Sequence, residues 1–195
     1  MNAHATRLQW PPTQSFAQSI GCIYSDVDGV LTDGSLIYDS AGVEAKAFHV
    51  RDGLAIKRWI TAGNHFVIVT ARHSEMTDRR AAELGIEVVI QNCKDKLAAV
   101  LEHAGQFDVD PRSAAFVGDD VADVAAMRAV GLAATVSDGS IDAVAASDVR
   151  LGTGGGRGAL RELIETLMRA AGSWPAIPSA REAEKSAAPG SWTTE

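Results

Sequence analysis

Five short apolar runs recur along this chain with almost no polar alternation inside them: Ile20–Tyr24, Phe66–Thr70, Glu87–Ile90, Ala114–Val117 and Leu132–Val136. A strand with one solvated face alternates apolar and polar residues. A strand without that alternation is buried on both faces, as in a parallel sheet covered by helices. The segments between the runs carry helical signals. Leu54, Lys57, Arg58 and Trp59 lie in a stretch ending at Gly63, and Ser74 is placed to cap a helix that runs to Leu84 and stops at Gly85. Leu97, Val100, Leu101 and Ala104 keep helical spacing after Asp95. Leu160, Leu163, Ile164, Leu167 and Met168 form the strongest amphipathic stripe. The alternation predicts an α/β fold, a doubly wound, Rossmann-like parallel sheet over residues 19–171. Residues 1–18 read as a loose leader and 172–195 as a solvated tail rich in Ala, Ser, Pro, Glu and Gly.

One stretch interrupts this rhythm. Gly34–Val50 carries Leu36–Tyr38, a turn signal at Asp39–Gly42 and a second β-rich run from Val43 to Val50, which predicts a small β-hairpin inserted after the first strand. It is too short to form a cap domain.

The balance of 18 Lys and Arg against 25 Asp and Glu leaves a net charge of −7, which argues against a general nucleic-acid-binding surface. No apolar run approaches the roughly 18 residues of a membrane span. The N-terminus lacks a cationic segment followed by an apolar one, so no secretory signal is expected. The two cysteines, Cys22 and Cys93, are too few for a disulfide scaffold and fit a reducing compartment, so the cytoplasm is the expected location.

The chemistry-bearing residues gather just after the apolar runs. In an open α/β sheet, ligands bind beyond the carboxyl ends of the strands. Asp26 and Asp28 follow the first run, in Ser25-Asp26-Val27-Asp28-Gly29; Thr70 and Arg72 follow the second; Lys96 opens the third helix; Asp119, Asp120 and Asp123 follow Ala114–Val117. DxDG alone is common in turns and calcium loops, but Ser40 and Ala41 do not continue an EF-hand series. Paired carboxylates at a strand end repel unless a hard cation such as Mg²⁺ relieves them. With a hydroxyl and a lysine at the same edge, the set suits phosphoryl transfer to a carboxylate. One acid attacks phosphorus, a second shuttles the proton, and Thr and Lys hold the phosphoryl oxygens. Arg51, Lys57, Arg72, Arg80 and Arg157 are candidate ligands for a second anion, such as a sugar-acid carboxylate. Gly154–Gly158 reads as either a lid or a linker.

These four ordered motifs resemble those of the haloacid dehalogenase superfamily, and the resemblance covers roughly residues 20–168. It implies Asp26 as nucleophile and Asp28 as general acid/base, with Thr70 and Lys96 as the second- and third-motif groups. It also implies Mg²⁺ held by Asp26, Asp28 through its main-chain carbonyl, and Asp119, with Asp120 and Asp123 beside them. Within the superfamily the chain is similar to the capless 3-deoxy-D-manno-octulosonate 8-phosphate phosphatases. The similarity rests on DVDGVLTDG, the hairpin, Phe48–Gly53, GDDVAD and Gly154–Gly158. That resemblance implies a homotetramer assembled through the hairpins and a sugar-acid phosphate substrate. The implied substrate contacts are Asp28, His49, Val50, Arg51, Asp52, Gly53, Lys57, Arg72, Arg80, Lys96 and Arg157. His49 stands where the family usually has Asn, and Lys57 where Arg is common. Two other readings stay open: a phosphatase for the 9-phosphate of a sialic acid or its deaminated relative, which the resemblance to related capless enzymes suggests, and a phosphoacceptor signalling domain that stores the acyl-phosphate.

Overall fold

The structure is a computed structural model that describes residues 9–175. In chain order its elements are α1 (Gln14–Ser19), β1 (Cys22–Ser25), β2 (Ile37–Tyr38), β3 (Glu44–Ala45), α2 (Val50–Thr61), β4 (His65–Val69), α3 (Glu75–Leu84) and β5 (Val88–Ile90). There follow α4 (Lys96–Gln106), β6 (Ala114–Gly118), α5 (Val124–Met127), β7 (Leu132–Thr135), α6 (Ile141–Ala146), β8 (Val149–Arg150) and α7 (Ala159–Ala171). Six strands form one sheet in the order β5-β4-β1-β6-β7-β8, with every pairing parallel. The order reverses at β1, whose Ile23 pairs with Phe66 on one side and Ala115 on the other. That reversal opens a crevice at the carboxyl ends of β1 and β6.

The pleat sends successive side chains to opposite faces. Ile23, Phe66, Ile68, Ala115, Val117 and Leu132 point to one core, covered by Ile56 and Trp59 of α2, Leu84 of α3 and Leu160, Leu163, Ile164 and Leu167 of α7. Tyr24, Val67, Val69, Phe116 and Ala133 point to the other, covered by Val100 of α4, Met127 of α5 and Ala143 of α6. Burial on both faces is why the runs lack polar residues. The strand ends differ from the sequence reading by one or two positions. Ile20 closes α1 rather than opening β1, and the two-residue β8 carries too short a pattern to be seen.

The domain also begins earlier and ends later than expected. Thr13 caps α1, Ala17 is buried, and Gln18 Nε2 donates to the Ala171 carbonyl at 3.2 Å, so α1 is tied to the end of α7. Six residues with one buried apolar position cannot display a helical period. Beyond α7, the Trp174 ring faces the guanidinium groups of Arg58, Arg161 and Arg169 at 5.1, 4.6 and 5.6 Å from its centroid. The rest of the expected leader and tail, residues 1–8 and 176–195, lies outside the described residues.

The hairpin forms, though its strands are only two residues each. Asp39 Oδ1 accepts from Ala41 N and Val43 N, both at 2.8 Å, and Gly42 supplies a φ of +81°. Val50, read as strand, is the first residue of α2. Gly154–Gly158 is neither a lid nor a loose linker. Gly156 N donates to Val30 O at 3.0 Å and Gly155 N to Asp138 Oδ1 at 3.0 Å, and a Cβ on Gly155 would run into the Gly29 carbonyl. The segment is a wedge of bare backbone seated on the loop after β1. Gly155→Ala is therefore expected to cost about 1–3 kcal/mol in urea denaturation, as overpacking does in a filled interior. An unchanged midpoint would mean the two loops move apart freely.

Candidate active site

Asp26 continues the line of β1, its amide donating to Val117 O of β6 at 3.0 Å, and the chain then turns through Val27–Thr32. The carboxylate of Asp26 is buried, accepts from Val27 N at 2.7 Å and meets Lys96 Nζ at 2.9 Å. Lys96 is the first residue of α4, positioned by the Asp95 cap, whose side chain accepts from Ala98 N. Its ammonium also reaches Asp123 Oδ1 at 2.6 Å. Asp123 Oδ2 accepts from the amides of Asp119 at 3.0 Å and Asp120 at 3.2 Å, which pins the loop after β6. Carboxylate oxygens of Asp26, Asp119 and Asp123 all lie within 4.8 Å of one another. Thr70 is buried at the end of β4 and takes the Arg72 amide on its hydroxyl at 3.4 Å.

The charge balance of this cluster is unfinished. Burial pushes the Asp26 carboxyl up to about 6, with Lys96 pulling against it. Burial, then the Asp26 charge, pushes Asp119 up to about 7. Burial works against the charge of Lys96, but Asp26 and Asp123 outweigh it and raise its pKa. One ammonium faces three carboxylates, so a hard divalent cation with oxygen preference fits the donor set. The fit is steric as well. Gly29, at φ +91°, lets its backbone press against the Asp119 carboxylate, where a Cβ would collide. Among the described residues the Asp119 carboxylate has no hydrogen bond or ion pair, while the Asp26 oxygens take Val27 N and Lys96 Nζ. The oxygens of Asp123 already serve Lys96 and the loop amides. The carboxylates of Asp28 and Asp120 lie outside the cluster, and exposed Asp120 accepts instead from Val121 N at 2.7 Å.

Asp28 occupies a second, adjacent charge group that sequence reading did not find. Lys46 Nζ donates to Asp28 Oδ1, and Arg72 Nε lies 3.4 Å from Asp28 Oδ2. Arg72 donates from a terminal nitrogen to Glu44 at 2.9 Å and to Tyr38 Oη at 3.0 Å. The Ser74 hydroxyl donates to Glu44 rather than capping α3. The usable signal was the i, i+2 spacing of Glu44 and Lys46, which puts both on one face of the hairpin arm.

The remaining expected contacts scatter. Asp52 is buried and accepts from Arg161 N at 2.7 Å, so its carboxylate caps α7 and does not reach the cluster. His49 is the residue before α2, with its ring against Gly158. Val50 and Arg51 are exposed on the first turn of α2. Gly53 lies under the Arg80 guanidinium, which also faces Phe48 at 5.9 Å and pairs with Glu83 at 3.1 Å. Lys57 lines a groove with Thr61, Ala62, Met168 and Ser173 at the far end of α2. Arg157 is exposed on the glycine wedge, within electrostatic reach of Asp33. Within one chain, only Asp28, Arg72 and Lys96 of the expected substrate set stand beside the carboxylate cluster.

An aspartate after β1, its neighbour two residues on, a lysine bridging two carboxylates and a bare cradle around a third gather at one edge of the sheet, the arrangement that the resemblance to the haloacid dehalogenase superfamily implies. The chain is 38% identical over 159 residues to the 3-deoxy-D-manno-octulosonate 8-phosphate phosphatase KdsC of Haemophilus influenzae, covering 82% of this chain and 88% of that one. It is 36% identical over 162 residues to KdsC of Salmonella typhimurium, covering 83% and 86%. The crystal structure of the phosphatase from Moraxella catarrhalis, in complex with magnesium, phosphate and KDO, superposes with a TM-score of 0.78 at 39% identity, covering 80% of this chain and 90% of that one. No family model matches the sequence. On these similarities the chain belongs to the KdsC family of haloacid dehalogenase phosphatases.

The raised carboxyls give a testable sign. A folded-state pKa above the unfolded value means the native state holds extra protons, so stability falls as pH climbs from about 4 to about 7. A cation that binds the ionised carboxylates offsets that loss. Added Mg²⁺ should therefore raise Tm more at pH 8 than at pH 5 in calorimetric scans. A larger gain at pH 5 would contradict the assignment.

Proposed function

We propose that this chain is a Mg²⁺-dependent phosphatase that hydrolyses 3-deoxy-D-manno-octulosonate 8-phosphate to the free sugar acid and phosphate. The observation that carries the reading is Lys96 spanning Asp26 and Asp123, beside an Asp119 that has no ion pair among the described residues. The family membership supports the substrate.

Asp26 is the nucleophile. Its carboxylate attacks phosphorus and forms an aspartyl-phosphate while the ester bond to the sugar breaks. Asp28 gives a proton to the leaving oxygen, then takes one from the water that attacks the aspartyl-phosphate. Lys96 and the Thr70 hydroxyl hold the oxygens of the transferring group, Lys96 also restraining Asp26 against rotation. Asp26, Asp119 and the main-chain carbonyl of Asp28 would hold Mg²⁺, with Asp123 and Asp120 fixing the loop behind them. Bound there, Mg²⁺ supplies the charge neutralisation that lets a carboxylate approach a phosphate ester.

Arg72 stands beside Asp28, where the sugar leaves. The first turn of α2 (His49, Val50, Arg51, with Asp52 and Gly53 behind) together with Lys57, Arg80 and Arg157 serves recognition of the sugar acid across a subunit boundary. The exposed apolar hairpin, with Leu36 and Ile37 each 49% exposed and Val43 60%, supports a homotetramer. Two buried, unpaired cysteines support a cytoplasmic enzyme, and its product supports a place in lipopolysaccharide biosynthesis.

Phosphate release from the eight-carbon ester should require Mg²⁺ and exceed that from a sialic acid 9-phosphate in kcat/KM. Asp26→Asn should lose at least about 10³-fold in kcat. A preference for the nine-carbon ester would replace the substrate, and a stable phosphoprotein without turnover would replace the enzyme by a phosphoacceptor domain. Light scattering should give the mass of four chains; a fully active monomer would remove the shared site.

A further inference from the structure

The helices α2 and α7 both begin without a cap of their own. His49 before α2 makes no side-chain hydrogen bond to the first turn, and Gly158 before α7, at φ +107°, has no side chain to offer. A helix start leaves amides unpaired, and an acid placed there satisfies them and meets the positive end of the dipole. Asp52 fills that place for α7 from outside it. Its Oδ1 accepts from the amide of Arg161, the third residue of α7, at 2.7 Å. Asp52 also lies in the first turn of its own helix, so one carboxylate stands at the starts of two. It is 1% exposed, and its other oxygen, Oδ2, is buried without a hydrogen bond. Burial pushes the carboxyl up, while the Arg161 amide and the nearby His49 pull against it.

The rest of that turn faces outward. Val50 is 77% exposed, and Arg51 beside it is exposed too. On the far side of the contact, α7 follows directly from the glycine wedge, whose Gly156 N donates to Val30 O behind the loop that bears Asp28. We propose that Asp52 is a positioning residue for recognition of the sugar acid, fastening the Val50–Arg51 turn of α2 to the start of α7 without touching the substrate itself. The inference rests on the reading of that turn, proposed above, as part of the sugar-acid site. A turn released from α7 must be ordered again each time the sugar acid binds, which weakens binding without touching the chemical step. The carboxylates that carry the chemistry are held separately, by Lys96 and by the amides of the loop after β6.

Two constants measured on two esters separate this role from a general loosening of the fold. With the full chain and saturating Mg²⁺, Asp52→Ala should raise KM for the 8-phosphate ester about tenfold, the scale of one hydrogen bond to a charged group. Its kcat on that ester should fall less than about threefold, the pattern of lost uniform binding. For p-nitrophenyl phosphate, which carries no sugar acid, KM should rise less than about threefold. Asp52→Asn keeps an acceptor for the Arg161 amide and should recover most of the loss. Equal change on both esters, a fall in kcat with KM held, no change at all, or an Asp52→Asn as impaired as Asp52→Ala would overturn the proposal. Should Asp52→Ala fail to fold, Asp52→Ser, whose hydroxyl is one bond shorter, is read in its place. If the wild-type enzyme does not turn over the eight-carbon ester, the fault lies in the substrate assignment, and the same contrast with a sialic acid 9-phosphate decides the role of Asp52. Turnover of neither sugar ester would overturn both.

Discussion

The contact on which the centre depends is the Lys96 ammonium between Asp26 and Asp123. It joins the end of β1, the start of α4 and the turn after β6, three segments far apart in sequence. Without it, two carboxylates buried side by side would repel across a medium that screens them poorly. Asp123 then passes the constraint on, because its second oxygen holds the amides of Asp119 and Asp120. The position of Asp119 is thus inherited from a lysine with which it forms no ion pair.

Beside this group lies a second one of opposite construction, in which two cations surround one carboxylate. Asp28 is two residues from Asp26, yet it turns to Lys46 and Arg72 instead of joining the acidic cluster. Two acids so near in sequence are given separate electrostatic surroundings, one dominated by burial and one by cations. That is how neighbouring carboxyls come to do different work.

Much of this was legible in the sequence, for a physical reason. A parallel sheet covered on both faces leaves apolar runs that cannot be mistaken for a half-exposed strand, and the fold then dictates that acids after those runs share one edge. The sequence reading places Asp26, Thr70, Lys96 and Asp119 at that edge for this reason. It does not place Lys46, since a two-residue strand has too little pattern to say which face turns inward. Asp52 and Lys57 do not join the cluster within one chain. Asp52 turns to the Arg161 amide of α7, and Lys57 sits two turns along α2, lining a groove with Met168 and Ser173. The order of residues along a helix does not reveal which element its polar groups will serve. Likewise the packing of Trp174 depends on arginines from two different helices, which no local window contains.

The glycine wedge before α7 has a consequence for how the enzyme comes into being. The loop bearing Asp28 is braced from behind by residues 155 and 156, more than a hundred positions downstream. A nascent chain therefore carries all its chemical groups well before it has the brace that shapes them. Competence arrives only when the last helix docks, so a prematurely terminated product would be inert rather than partly active.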